Sequence, residues 1–87
     1  MLNVYEELAD TSRRQILAEL RAGHKSVSDL CAATNLKQPN VSNHLARMRA
    51  RGIVRATKIG RQVFYSLSTP EIEAIVNSVF TERQAPE

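Results

Sequence analysis

The sequence predicts an α+β fold of order α-α-α-α-β-β-α. Three observations predict it: a hydrophobic period near 3.6 up to residue 51, a switch to period 2 between residues 54 and 67, and a return to the helical period after Pro70. At 87 residues the chain is read as one domain spanning 1–87. A domain of this size leaves much of its apolar surface uncovered, so a partner chain is expected.

The elements follow in order. Leu2 to Ala9 reads as a short helix with Leu2, Tyr5 and Leu8 on one face. Asp10, Thr11 and Ser12 offer side-chain oxygens for the N-cap of a second helix, which runs to about Ala22 with Ile16, Leu17 and Leu20 inward and Gly23 at its end. Ser26 and Asp29 resemble a capping box opening a short helix that places Val27, Leu30 and Cys31 on one side and ends near Thr34 and Asn35. A longer helix is expected over 38–51, with Pro39 tolerated in its first turn, Val41, Leu45 and Met48 inward, and Gly52 closing it. Two helices joined by a short turn make a helix-turn-helix.

Val54 to Ile59 and Gln62 to Leu67 are β-rich runs around Gly60-Arg61, the pattern of a tight hairpin. On the second run Val63, Tyr65 and Leu67 alternate with Gln62, Phe64 and Ser66, so one face can be buried. Thr69, Pro70 and Glu71 then supply a hydroxyl cap, a first-turn proline and an acid near the positive end of the dipole. The last helix carries Ile72, Ile75, Val76, Val79 and Phe80, and residues 82–87 are expected to form a disordered tail.

The formal net charge is only +3, but its distribution is one-sided. Residues 30–70 contain no Asp or Glu and carry Lys37, Arg47, Arg49, Arg51, Arg55, Lys58 and Arg61, or +7, while the remainder of the chain sums to −4. A stretch of 41 residues without an acid favours a polyanion over a small neutral ligand.

The helix over 38–51 concentrates this signal. At 100° per residue, Asn40, Asn43, Arg47 and Arg51 share a stripe with His44 beside it, separate from Val41, Leu45 and Met48. Asn and Gln bond adenine bidentately, Arg bonds guanine, and a helix fits the major groove of double-stranded DNA. Gln38, Asn40, Ser42 and Asn43 are therefore expected to face the groove, with Arg47 reaching a base or a phosphate. Lys58 and Arg61 flank Gly60 at the hairpin tip, where they can meet phosphates or enter the minor groove. Directly after a basic helix-turn-helix, such a hairpin is the wing of a winged helix.

Enzyme readings find no support. The chain has no Gly-rich phosphate loop, no nucleophile elbow and no carboxylate pair on a shared face. No apolar run approaches the length needed to cross a bilayer and no charged leader precedes one, so a cytoplasmic protein is expected, nucleoid-associated when bound to DNA. The single cysteine, Cys31, excludes a disulfide within the chain. A lone cysteine on the apolar side of a helix is usually a small hydrophobe, and the alternative is a thiol switch whose partner comes from elsewhere. His24 and His44 lack ligand spacing to each other and read as surface residues. A winged helix that docks an acidic protein is the other alternative, although the exposed stripe lacks the aromatic anchors of such surfaces.

Three segments carry a family resemblance: LADTSRRQIL from Leu8 to Leu17, QPNVSNHL from Gln38 to Leu45, and GRQVFYSL from Gly60 to Leu67. Across residues 5–80 the chain resembles the ArsR/SmtB group of small bacterial winged-helix repressors. The resemblance implies a homodimer joined through the first and last helices, which fits apolar stripes at Leu2, Tyr5, Leu8 and at Ile72, Ile75, Val76, Val79, and it implies operator binding that blocks transcription. An inverted-repeat operator follows from two-fold symmetry.

The departures from the family concern sensing. Members that bind thiophilic metals carry a Cys-Val-Cys-Asp-Leu segment, where this chain has Ser26-Val27-Ser28-Asp29-Leu30. Members that bind zinc use Asp and His on the last helix, and from Ser68 onward there is no His or Cys. No metal and no cofactor is therefore expected. Asn43 stands where the family often has His, and Lys37 where a Ser often caps the helix.

Overall fold

The computed structural model describes residues 4–84, with side chains described for 4–80. Eight elements follow one another: α1 (Val4–Ala9), α2 (Thr11–Leu20), β1 (Lys25–Ser26), α3 (Val27–Thr34), α4 (Gln38–Ala50), β2 (Val54–Ile59), β3 (Gln62–Leu67) and α5 (Pro70–Gln84). The expected order holds, with one addition. The two-residue β1 pairs antiparallel with β3, Lys25 opposite Tyr65 and Ser26 opposite Phe64, giving a three-stranded sheet of order β1-β3-β2. The helix of α5 continues through Gln84, into the segment expected to be a tail, while Leu2 and residues 85–87 lie outside the described residues.

Local chemistry sets the boundaries. Of the three candidate caps for α2, Asp10 acts: its Oδ1 accepts from the Arg13 backbone N–H at 2.9 Å. Ser26 and Asp29 form a reciprocal capping box, the Asp29 N–H donating to Ser26 Oγ at 3.1 Å and the Ser26 N–H donating to Asp29 Oδ2 at 3.0 Å. These bonds stabilise the charged carboxylates, so Asp10 and Asp29 both titrate below their ordinary 3.8, Asp10 chiefly through the Arg13 N–H and Asp29 chiefly through that of Ser26. The start of α4 differs, because Lys37 is its N-cap and no side chain bonds the free amides.

The end of α4 is a Schellman turn. Gly52 takes φ 79°, its N–H donates to Arg49 O at 3.0 Å, and the Ile53 N–H donates to Met48 O at 2.9 Å. Ile53 and Met48 are both fully buried, so the turn carries its usual hydrophobic contact. It leads directly into β2, whose register with β3 runs from Val54 opposite Leu67 to Ile59 opposite Gln62. At the hairpin tip Gly60 has φ 64° whereas Arg61 does not take a positive φ, the pattern of a type II′ turn.

The core draws on every helix and on the base of the hairpin. Ile16, Leu17, Leu30, Val41, Leu45, Met48, Ile53 and Val76 are completely buried, each contributing about 1.5–3 kcal/mol of burial free energy. Burial on the hairpin falls off toward the tip: Val54 and Leu67 are buried, Tyr65 is half-buried, and Val63 is 40% exposed. The expected alternation therefore holds at the base and lapses where the wing leaves the core.

Helix α1 is rotated from its expected orientation. Val4, Glu7 and Leu8 face inward, and Tyr5, expected beside Leu8, is 62% exposed. The expected dimer stripe divides accordingly. Leu8, Ile72 and Val76 are buried in the protomer's own core and have no surface left for a partner, whereas Tyr5, Ile75 and Val79 keep exposed area. Helix α1 packs on α5 within the protomer, so the two elements that bear these three residues adjoin.

Candidate nucleic-acid interface

Helix α4 sorts its side chains sharply. Val41, Leu45 and Met48 are fully buried, while Gln38, Asn40, Ser42, Asn43 and Arg47 are exposed. Among the described residues no hydrogen bond or ion pair engages the side chains of these five, so three amides, a hydroxyl and a guanidinium stand ready for an outside partner. Lys58 and Arg61 are likewise exposed on the wing. Lys58 pairs across the ladder with Val63, and Arg61 lies in the turn itself.

Two residues expected on the ridge behave differently. The Arg51 guanidinium is held by the buried carboxylate of Glu7, Nη1 donating to Oε2 at 2.5 Å, which raises the already high pKa of Arg51 through that hydrogen bond first and the Glu7 charge second. His44 is half-buried at the edge of the ridge, its Nδ1 enclosed without a hydrogen-bond partner. At 100° per residue His44 and Arg51 both lie on the Met48 border of the buried stripe, the side from which Glu7 of α1 reaches Arg51.

The exposed cations Lys37, Arg49 and Arg55 were not assigned to the interface from sequence. Arg49 follows Ser42 at i+7 and so extends the opposite border of the exposed face, a signal available in the spacing. Beside the N-terminus of α4 lies an open cleft of about 360 Å³ lined by Val27, Ser28, Cys31 and Gln38. Cys31 is half-buried, packed against the core edge on one side and bordering the cleft on the other. The Ser26 hydroxyl, beside this cleft in sequence, is occupied as the cap of α3. No helix among the described residues is long and apolar enough to cross a membrane.

A helix-turn-helix whose second helix bears an exposed polar ridge, followed by a cationic β-hairpin, defines a winged helix-turn-helix regulator. Residues 10–56, from the cap of α2 into β2, match the model of the bacterial regulatory protein, arsR family, and the chain belongs to that family. It is 29% identical over 77 residues to the transcriptional repressor SdpR of Bacillus subtilis, covering 88% of this chain and 86% of that protein. The solved structure of HlyU from Vibrio cholerae, a protein named a transcriptional activator, superposes with a TM-score of 0.85 at 32% identity over 93% of this chain and 88% of that one. A homodimeric winged helix-turn-helix DNA-binding domain from Mycobacterium bovis gives a TM-score of 0.83 at 25% identity, covering 93% and 75%. Family and fold are those of DNA-binding transcriptional regulators and not of enzymes.

Proposed function

We propose that this regulator is a homodimeric repressor that binds an inverted-repeat operator in double-stranded DNA. Gln38, Asn40, Ser42, Asn43 and Arg47 read base edges in the major groove, and Lys58 and Arg61 hold the flanking backbone from the wing. Arg49, Lys37 and Arg55 add phosphate contacts around that centre. The observation that carries this reading is the amide-bearing ridge of α4, exposed, without internal partners, and set in 41 residues that contain no acid.

Tyr5, Ile75 and Val79 supply the dimer contact, which the homodimeric relative supports by its similarity. Repression follows the example of SdpR, a repressor that this chain matches over 86% of its length. The regulator works in the cytoplasm, bound to the nucleoid, and without a metal: neither Ser26 nor Ser28 offers a soft donor, and Ser26 Oγ is engaged as a helix cap.

Selection of bound duplexes from a random library tests the reading. An imperfect inverted repeat with half-sites about one helical turn or more apart is expected, bound by two copies of the chain. Arg61→Ala should weaken binding to all duplexes alike and lower the slope of log affinity against log salt by about one. Salt-insensitive binding, or recovery of no motif, would refute it.

A further inference from the structure

Glu7 is the one fully buried charged residue among the described residues, and contact with DNA gives it no direct part. A carboxylate withdrawn from water is retained only if it is paired. Its partners come from two other elements: Arg13 of α2, with Nε 2.9 Å from Oε1, and Arg51, the C-cap of α4. The Arg13 N–H is not directed at the oxygen, so that contact is Coulombic, whereas Arg51 makes a hydrogen bond. Arg13 also lies 3.7 Å from Asp10.

The placement matters more than the pairing. Glu7 sits two residues after Tyr5, so one short helix bears both an exposed dimer residue and the anchor for Arg51. Arg51 is followed by the Schellman turn, whose two hydrogen bonds fix the backbone there, so a pull on its side chain acts on the whole helix. Asn40 lies eleven residues away from Arg51, about 16 Å along the axis. A tilt of about 4° at the Arg51 end displaces the Asn40 amide by about 1 Å, enough to spoil a bidentate hydrogen bond to a base.

We propose that Glu7 is a positioning residue for DNA recognition: its ion pair with Arg51 sets the tilt of α4 against α1 and thereby links the dimer surface to the base-reading ridge. The proposal rests on the reading of α4 and of the α1 and α5 surface given above. It separates Arg51 from Arg47, which touches DNA, and gives the buried acid a role that an apolar residue of similar size would not fill.

The test compares the wild-type chain with Glu7→Gln, Arg51→Gln, the double variant and Arg51→Lys. The probes are a duplex selected by the wild type and a random-sequence duplex, with thermal melting to fix a temperature at which each variant is folded. Glu7→Gln and Arg51→Gln should each weaken binding to the selected duplex roughly tenfold while leaving the random duplex and the salt slope nearly unchanged. The double variant should be no weaker than either single one, because both act through the same pair, and Arg51→Lys should recover much of the loss.

Glu7→Gln that melts earlier but, while folded, binds the selected duplex like the wild type overturns the proposal. So does an Arg51→Gln variant that loses affinity for both duplexes with a slope reduced by about one, since Arg51 is then a phosphate contact. If Glu7→Gln does not fold, Arg51→Gln and Arg51→Lys, changed at a side chain 45% exposed, decide the matter alone. Failure of the wild type to bind any duplex is a different result: it removes the base-reading role of α4, and this proposal with it.

Discussion

Arg47 and Arg51 stand one helical turn apart in the same helix, yet they belong to two regions built on opposite terms. Around Arg47 the polar groups are exposed and unpaired; around Arg51 a buried carboxylate binds guanidinium groups from two other parts of the chain. On the proposed reading, the first region is open because its partner is outside the molecule. The second is closed because its task is to hold three helices in register. Identical side chains thus take different roles according to whether an acid lies within reach, and in α4 that acid comes from 44 residues away.

The largest test of this contrast is on stability. Glu7→Ala should cost about 3 kcal/mol in urea unfolding, toward the low end for breaking a buried pair because Arg51 stays partly hydrated. Arg47→Ala should change stability by no more than about 0.5 kcal/mol. Equal costs would erase the distinction between the two regions.

Next comes recognition. Asn40→Ala or Asn43→Ala should relax preference at one half-site position by about 1–3 kcal/mol, read as the ratio of affinities for cognate and singly mismatched duplexes. A uniform loss on both duplexes would mean that the amides position the helix without reading bases.

Smaller still is the effect of the missing cap. Lys37→Ser should raise the unfolding free energy by about 1 kcal/mol, since a hydroxyl would satisfy a free amide of α4 and a cation would leave the positive end of the helix dipole. The same change should weaken DNA binding if Lys37 contributes a phosphate contact, so stability and affinity would move in opposite directions.

The smallest expected effect concerns acid. Asp29 titrates below 3.8 in the folded protein, chiefly because it accepts the Ser26 N–H. A folded pKa lowered in this way contributes stability that is complete above the unfolded value and is lost as pH falls through the folded one. Asp29→Asn keeps an acceptor oxygen but removes the titration, so its stability should decline less steeply than wild type below about pH 4.

The elements with a strong local signal were legible in the sequence. Both long strands end where the alternation and the Gly60-Arg61 turn place them, and α4 differs from its expected span by one residue. The capping box at Ser26 and Asp29 was readable because its two bonds span only three residues. Strand β1 was not readable, because two residues carry no period and become a strand only beside the free edge of β3.

The Glu7 and Arg51 contact was hidden for a related reason, since an acid and a base 44 residues apart leave no mark on either segment. A clue did exist. Val4, Glu7 and Leu8 follow helical spacing as well as Leu2, Tyr5 and Leu8 do, so spacing alone does not choose between the two faces, and an acid is rarely buried unless paired. Leu8, Ile72 and Val76 fall in the expected dimer stripe because an apolar stripe does not show whether it faces the protomer's own core or a partner.

The brevity of β1 has a further cost. It covers β3 only at Phe64 and Tyr65, so the outer reach of β3 toward the tip and the far side of β2 keep unshared backbone groups, with Ile59 and Val63 exposed nearby. A bare ribbon of this kind invites strand-to-strand association between molecules, and charges along it are what discourage that. Under the proposed function Lys58, Arg61 and Arg55 answer to two demands, grip on a polyanion and solubility in its absence, and a wing stripped of them should precipitate as readily as it loses its target.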